Sequence, residues 1–320
     1  MSFILAGDVG ATKVLLQAYH QGEQRLLAEK RYLSADFFSL TLLVQHFQNE
    51  FDLPYFTAAC FGVPGPVVGQ QVRLTNLPWV IRADELAQTC QIDQVEILND
   101  FYAAALGIDE LTESDLICLQ DGEYERLGNR LVIGAGSGLG VAPVKNCQGA
   151  FIPQPSEGGH MDFAPLNGHQ IQILTWLQQK WPHVSYERLL SGEGLETLYF
   201  FYNIQSHGHG KKSVTAAQIY QEAINGEKIA CQTLDTFVQI YGAFTGNAAL
   251  IWEAKAGIFI AGGIAPKIKD WILKPLFMEA FLSKGRMRKV VETFPIYLVM
   301  NEKVGLLGAM RRAQAINGDQ

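Results

Sequence analysis

Near its amino terminus the chain reads FILAGDVGATKVLLQAY, which covers residues 3–19. Two short apolar runs, residues 3–6 and 14–19, flank a segment rich in glycine at residues 7–13. Short apolar runs bounded by glycine are typical of buried β-strands. The stretch therefore predicts a strand, a tight turn and a second strand.

The same pattern recurs about 130 residues later in the chain. An apolar run at 131–133 leads into GAGSGLG at 134–140, and a second apolar run follows at 141–144. Two copies of one unusual element predict two related α/β domains. A third junction of an apolar run with glycines, at 257–264, is expected to continue into a helix near Pro266.

Apolar periodicity elsewhere predicts helices and strands in alternation, which is typical of α/β layers. Helices are predicted over residues 83–89, 101–106, 171–179, 216–223, 229–252, 271–281 and 306–315, and strands over 57–61, 95–98 and 296–300. We expect a small α/β domain over residues 1–110, joined by a C-terminal helix within 301–320. A large α/β domain is expected over residues 111–300.

Composition excludes several classes of protein. The 320 residues include 25 Lys and Arg against 32 Asp and Glu, a formal net charge of −7, which argues against a nucleic-acid partner. The most apolar stretch, 248–265, contains Glu253 and Lys255, so we expect no membrane partner. Five scattered cysteines without a Cys-x-x-Cys pair predict reduced thiols in a cytoplasmic protein.

The two glycine turns have the composition of phosphate-binding loops. Backbone N–H groups can converge on phosphate oxygens where no Cβ blocks the approach. Neither turn fits a P-loop or a dinucleotide-binding fingerprint, because a strand follows each one. Either turn alone could equally be an ordinary hairpin, and the two together with the glycines at 262–263 favour a nucleotide site. The candidate nucleotide-binding residues are Asp8, Gly10, Ala11, Thr12, Lys13, Gly136, Ser137, Gly138, Gly262 and Gly263.

Two further groups of polar residues could carry chemistry. Asp100 lies between a predicted strand and a predicted helix, where a helix N-terminus would favour its ionised form. An ionised carboxylate can take the proton of a hydroxyl during phosphoryl transfer, although Asn99 or Asp100 could equally serve as a simple helix cap. Glu157 and His160 are separated by two glycines, which oppose a helix and favour a mobile loop with both side chains facing the same volume. Asp8 could hold Mg²⁺ directly or through water.

The three glycine segments, in this order, resemble the superfamily that joins actin, heat-shock chaperones and sugar kinases. Within it, the chain resembles the bacterial glucokinase family over essentially its whole length. The supporting segments are LTNLPW at 74–79, LNDF at 98–101, EGGHMDF at 157–163, ERLLSG at 187–192 and GLLGA at 305–309. The resemblance implies two related actin-like ATPase (ribonuclease H-like) domains, with mixed sheets flanked by helices and an interdomain cleft.

The same resemblance implies a function and a set of site residues. The expected reaction is the phosphorylation of glucose by ATP with Mg²⁺, with Asp100 as general base, in a homodimer. The residues implied to contact glucose are Asn99, Asp100, Glu157, His160 and Glu187, with Asn76 as a further contact. Ser156 and Glu193 depart from the family pattern beside these segments, as does Ala11 in the first glycine turn.

Alternative functions remain open at this point. The protein could phosphorylate another hexose or an N-acetylhexosamine. Sugar-responsive regulators on this scaffold normally carry an N-terminal helix-turn-helix, whereas here the first glycine turn begins at Gly7. Related sugar kinases carry a cysteine-rich zinc motif after their His segment, and its absence here predicts no structural zinc. His207 and His209 are interpreted as part of a solvated loop.

Overall fold

The computed structural model describes residues 2–74, 77–209 and 214–318. The chain divides into two compact units. One comprises Met1–Thr112 and Lys303–Gln320, and the other comprises Glu113–Glu302. The last segment of the chain therefore belongs to the same unit as the first.

Strands and helices alternate in both units. Those before residue 112 are β1 (Phe3–Val9), β2 (Lys13–His20), β3 (Arg25–Leu33), α1 (Leu40–Glu50), β4 (Phe56–Val63), β5 (Gln71–Arg73), β6 (Val80–Arg82), α2 (Ala83–Cys90), β7 (Ile92–Asn99) and α3 (Asp100–Gly107). Those of the second unit are β8 (Leu116–Gln120), β9 (Arg130–Ala135), β10 (Leu139–Cys147), β11 (Ala150–Pro153), α4 (Gly168–Leu177), α5 (Gly192–His207), α6 (Ala216–Ile224), α7 (Lys228–Trp252), β12 (Ile258–Ala261), α8 (Lys269–Ile272), α9 (Pro275–Leu282), α10 (Arg288–Val291) and β13 (Ile296–Val299). The final helix, α11 (Val304–Gly318), belongs to the first unit.

The first unit is built on a five-stranded sheet in the order β3-β2-β1-β4-β7. Strands β1 to β3 form an antiparallel meander, whereas β4 and β7 continue the sheet parallel to β1. Leu5 packs in the apolar cluster that contains α1 and α2, while its neighbours Ile4 and Ala6 pack with α3 and α11. Because helices cover both faces of the sheet, β1 is apolar without alternation.

The second unit repeats this topology in a six-stranded sheet, ordered β11-β10-β9-β12-β13-β8. Strands β9 to β11 form the antiparallel meander, and β12 and β13 lie parallel to β9. Strand β8 extends the sheet antiparallel to β13. The prediction of two related α/β folds with mixed sheets is therefore confirmed, and each glycine turn joins the first two strands of its meander.

The region after β12 differs from the sequence-based prediction. A helix was expected near Pro266 and another over residues 271–281. Residues 262–268 form turns, and the predicted helix is divided into α8 and α9 at Lys274. Pro275 has no N–H group to donate to a preceding turn, and it occupies the first position of α9, where that group is not needed.

All five cysteines are free thiols, and Cys60 and Cys90 are buried. Within the part of the chain that the structure describes, no helix combines the length and the apolar character needed to span a membrane.

Candidate functional site

The first glycine turn connects β1 to β2. The Gly10 N–H donates to the Lys13 carbonyl at 2.8 Å, which closes the turn between the paired residues Val9 and Val14. Thr12 and Lys13 are exposed at the tip of the turn. The turn therefore presents the Thr12 hydroxyl and the Lys13 ammonium group to solvent, next to the turn backbone.

A buried serine outside the turn holds it in place. The Ser34 hydroxyl donates to the Gly10 carbonyl at 2.9 Å, and the Ser34 N–H donates to the Thr12 carbonyl at 3.0 Å. The Ser34 side chain is fully buried. Sequence reasoning did not single out this residue, because a lone serine 24 positions after Gly10 carries no periodic or motif signal.

Asp8 lies on β1, two residues before Gly10, so the turn itself is shorter than the glycine-rich segment 7–13. Burial of Asp8 raises the pKa of its carboxyl group to about 6, and the Arg31 guanidinium partly opposes this effect. A Cβ atom at Gly305 would lie 3.6 Å from the Asp8 Oδ1 atom, so the carboxylate lies close to the first turn of α11. A carboxylate whose charge is poorly solvated is stabilised by a nearby cation.

Asn99 and Asp100 form the junction of β7 and α3. The Asn99 Oδ1 atom accepts the N–H groups of Phe101 and Tyr102 at 3.0 and 3.2 Å, so Asn99 is the N-cap of α3. The Asp100 Oδ1 atom also accepts the Phe101 N–H, at 2.9 Å. The Asn99 side-chain amide donates to the Gly65 carbonyl at 3.2 Å and so ties the loop after β4 to this junction. The helix-cap alternative is thus correct for Asn99, and Asp100 is held at the same helix start by its own hydrogen bond.

Asp8 and Asp100 lie at the same edge of the first sheet. Asp8 pairs with Gly62 on β4, and Gly62 pairs in turn with Leu98 on β7. Adjacent strands are about 4.8 Å apart, which puts the Asp8 and Leu98 backbones roughly 10 Å from each other. The three parallel strands end at this edge, and the carboxyl ends of parallel strands are where α/β sheets bind ligands.

The second glycine turn connects β9 to β10. The Gly136 N–H donates to the Gly138 carbonyl at 2.8 Å, which resembles the closure of the first turn. Ser137 is exposed at the tip, and a Cβ atom at Gly136 would meet nothing within 4 Å. The buried Tyr241 hydroxyl accepts the Ala135 N–H at 3.2 Å and fixes the strand that leads into the turn. This turn therefore has open space beside its backbone.

The third glycine segment lies against the second turn. The Ile264 N–H donates to the Ala135 carbonyl at 3.1 Å. Gly262 has a φ of +82°, and a Cβ atom there would lie 2.7 Å from the Ala135 carbonyl oxygen, so only glycine fits. A Cβ atom at Gly263 would meet nothing within 4 Å. The second unit thus brings Gly136 and Gly263 close together, both facing open space.

Glu157, His160 and Glu187 form one cluster in the second unit. The His160 Nε2 atom lies 3.9 Å from a Glu157 carboxylate oxygen and 3.8 Å from the Glu187 Oε1 atom. The segment Gly158–His160 is a 3₁₀ turn, whereas its two glycines were expected to oppose a helix and to favour a mobile loop. Gly159 is buried against the Leu139 carbonyl, where a side chain would collide, and this contact sets the turn. The Ser156 hydroxyl accepts the Gly158 N–H at 3.1 Å, which gives this family departure a local structural role.

Comparisons with known proteins identify the family of the chain. A family model described as Glucokinase matches residues 5–316. The chain belongs to the glucokinase family. A glucokinase of Trichormus variabilis is 37% identical over 335 residues, with 97% of this chain and 98% of the relative covered.

Solved glucokinase structures share the fold. The crystal structure of a glucokinase from an Antarctic psychrotroph is 30% identical to this chain, with a TM-score of 0.82 and coverage of 98% of this chain and 99% of that one. A glucokinase of the ROK family from Streptomyces griseus, solved in complex with glucose and AMPPNP, has a TM-score of 0.64 at 17% identity. It covers 98% of this chain and 100% of its own, and at that identity it supports the fold alone.

The residues implied by the glucokinase resemblance fall into a group in each unit. Asp8, the first glycine turn, Asn99 and Asp100 belong to the first unit, and the other two glycine segments belong to the second with the His160 cluster. Asn76 lies outside the described residues. His207 ends α5, and its ring lies 6.3 Å from that of His209, centroid to centroid. Among the described residues, no group of three or more His, Cys, Asp or Glu side chains could hold a metal ion.

Proposed function

We propose that this protein transfers the γ-phosphoryl group of ATP to the primary hydroxyl of glucose. Membership of the glucokinase family supports the reaction, and the Streptomyces griseus structure binds both glucose and the ATP analogue AMPPNP. The observation that carries the proposal is the cluster of Glu157, His160 and Glu187. Sugar hydroxyls donate and accept hydrogen bonds at once, and carboxylates beside an imidazole supply both kinds of partner.

In this proposal Asp100 is the general base. Its Oδ1 atom is engaged by the Phe101 N–H, which fixes the carboxylate at the start of α3. The Asp100 carboxylate takes the proton of the primary hydroxyl as the hydroxyl oxygen attacks the γ-phosphorus, while the bond from the γ-phosphorus to the bridging oxygen of ATP breaks. Asn99 holds the end of α3 through two backbone N–H groups and so keeps Asp100 in a fixed position.

The glycine segments are proposed to hold the nucleotide. Backbone at Gly136 and Gly263 faces open space, where phosphate oxygens could approach without meeting a side chain. Thr12, Lys13 and Ser137 would add a cation and hydroxyl donors, since they are exposed at the tips of their turns. Water competes with the sugar as a phosphoryl acceptor, so exclusion of water from the site would favour transfer to the sugar.

Asp8 fits a Mg²⁺ ion that arrives with the nucleotide. Magnesium in kinases is commonly held by one or two carboxylates together with phosphate oxygens and water. Burial leaves the Asp8 carboxylate poorly solvated and raises its pKa to about 6, and a bound cation would offset that cost. When bound, the ion would offset negative charge on the phosphates.

The function is tested by a coupled assay of ADP release with Mg²⁺, ATP and a panel of hexoses. We expect glucose to give the highest kcat/KM, ahead of mannose, fructose, N-acetylglucosamine and N-acetylmannosamine. A preference for an N-acetylhexosamine would replace glucose in the proposal, and no turnover with any sugar would overturn it. Two finer proposals, a homodimer and a cytoplasmic location, are tested by light scattering after gel filtration and by cell fractionation.

The sugar cluster has its own test in the Glu157→Gln variant. We expect the KM for glucose to rise much more than the KM for ATP, because the substitution replaces one acceptor oxygen by an NH₂ donor and removes the charge only at the sugar cluster. Equal increases in the two KM values would argue against a contact between Glu157 and the sugar.

A further inference from the structure

The Glu187 carboxylate contacts two segments that have different proposed ligands. Its Oε2 atom accepts the Leu139 N–H at 2.9 Å, directly after the second glycine turn. Its Oε1 atom lies 3.8 Å from the His160 imidazole in the sugar cluster. One side chain therefore joins the proposed phosphate turn to the proposed sugar residues.

The contact with the turn is close. A Cβ atom at Gly138 would lie only 2.5 Å from the Glu187 Oε2 atom, so the carboxylate lies directly over this glycine. Leu139 is the buried first residue of β10, and its N–H is the donor next to the turn. A hydrogen bond from an N–H group to a carboxylate is stronger than one between neutral groups. The turn is thus fixed on its β10 side by a charged acceptor.

The segment that carries Glu187 also holds the other side of the turn. The Gly192 N–H donates to the Gly136 carbonyl at 2.9 Å. Within the segment, the Ser191 hydroxyl donates to the Glu187 carbonyl at 2.9 Å and keeps the two contacts in register. Residues 187–192 therefore hold the turn both before and after Ser137.

We propose that Glu187 is a positioning residue for the second glycine turn, in addition to its expected contact with the sugar. The carboxylate holds the backbone of Gly138 and Leu139 in the conformation that receives the nucleotide, before any sugar is bound. This inference rests on the proposed function for the identity of the nucleotide as ATP. It predicts an effect on nucleotide affinity in the complete absence of sugar, which a purely sugar-binding residue would not have.

The test is the affinity for Mg²⁺ and AMPPNP, measured by calorimetry without sugar. Glu187→Ala removes the acceptor, and we expect the Kd to rise roughly tenfold. Glu187→Asp keeps the charge but shortens the reach, so a similar loss is expected. Glu187→Gln keeps an acceptor oxygen at the same reach, and we expect its Kd to stay within about threefold of the original value.

Glu157→Gln is the matched control, because Glu157 belongs to the sugar cluster and has no hydrogen bond to the turn among those described. Its nucleotide Kd without sugar should equal that of the unchanged protein. If Glu187→Ala does not fold, as judged by its melting curve, the aspartate and glutamine variants still decide between reach and charge.

Unchanged or tighter AMPPNP binding by the alanine and aspartate variants would overturn the inference, as would the same loss in the glutamine variant. Failure of the wild-type protein to bind AMPPNP without sugar would also overturn the inference. If the pattern holds but no hexose is phosphorylated, the proposed function fails while the positioning role of Glu187 stands. The two outcomes are therefore distinguishable.

Discussion

The Ser34 hydroxyl donates a hydrogen bond to the Gly10 carbonyl at 2.9 Å, and the Ser34 side chain is fully buried. The Ser34 N–H adds a second bond, to the Thr12 carbonyl. The first glycine turn is therefore held by a residue at the far end of β3, much as residues 187–192 hold the second turn. In both units a turn with little side-chain packing of its own is fixed by hydrogen bonds from outside it.

Ser34→Ala should weaken nucleotide binding through the first turn. Loss of the hydroxyl leaves the Gly10 carbonyl without that partner, at a cost of about 1–2 kcal/mol. We expect the KM for ATP to rise about threefold to tenfold, with a smaller change in the KM for glucose. Steady-state kinetics with each substrate varied in turn provide the measurement.

A matched control for this variant is Ser39→Ala. The Ser39 side chain caps α1 by accepting the Leu42 N–H at 3.2 Å, so its removal costs about 1 kcal/mol of stability without reaching the turn. Ser34→Thr retains the hydroxyl and should restore much of the ATP affinity. Equal KM values for ATP in the two alanine variants would show that Ser34 acts on stability alone.

Asp100→Asn should remove turnover while leaving the fold intact. The asparagine keeps an oxygen that can accept the Phe101 N–H, so α3 retains its first turn. Without a base, we expect kcat to fall by roughly 10² to 10⁴ while the Kd for glucose stays within a few-fold of its original value. Rapid-quench kinetics and glucose binding by intrinsic fluorescence measure the two quantities.

The control separates catalysis from helix capping. Asn99→Ala loses two hydrogen bonds at the start of α3 and should lower the melting temperature, at a cost of about 1–2 kcal/mol. Asp100→Asn should melt within about a degree of the unchanged protein. A kcat for Asp100→Asn above about a tenth of the original would mean that another group is the base.

Asp8→Asn should stabilise the protein while impairing its Mg²⁺-dependent activity. Because burial raises the Asp8 pKa from 3.8 to about 6, the folded state binds a proton more tightly than the unfolded chain does. The stability that this proton provides is fully present below about pH 4 and is lost as the pH rises through 6. The neutral variant avoids that loss, which amounts to up to about 3 kcal/mol at pH 7.

Melting temperatures of the unchanged protein and of Asp8→Asn, without nucleotide, provide the measurement. The difference in favour of the variant should be small at pH 4 and should grow until about pH 7. A difference that is independent of pH would show that the Asp8 carboxyl titrates as it does in the unfolded chain.

The features of the fold that were predicted correctly depend on residues that are close together in the sequence. The glycine turns follow short apolar runs, and Asp100 follows a strand directly, so adjacent residues alone locate them. The duplicated topology follows from the recurrence of one pattern at 131–144. Pro275 is a local signal for the start of a helix, and a single helix over 271–281 is inconsistent with it.

Long-range contacts account for what the sequence could not predict. The contact of Ser34 with Gly10 spans 24 positions, and that of Glu187 with Leu139 spans 48. Such pairs depend on the register of neighbouring strands and on where a turn folds back, which periodicity does not encode. Likewise, the 3₁₀ turn that ends at His160 depends on the close approach of Gly159 to Leu139.

Substitution by alanine should have different effects on stability at Gly262 and at Gly263, the two adjacent glycines after β12. Gly262→Ala would place a Cβ atom 2.7 Å from the Ala135 carbonyl oxygen, at a φ that disfavours any side chain. We expect it to lower stability by at least about 2 kcal/mol. Gly263→Ala meets nothing within 4 Å, so its melting temperature should change little.

Gly263→Ala should impair nucleotide binding even though it changes stability little. If phosphate oxygens approach the backbone at Gly263, the added methyl group occupies their space, and we expect the KM for ATP to rise about tenfold or more in a well-folded variant. The KM for glucose provides the internal comparison and should change much less. An ATP KM unaffected by Gly263→Ala would place the phosphates elsewhere, because the open space beside this glycine would then serve no ligand.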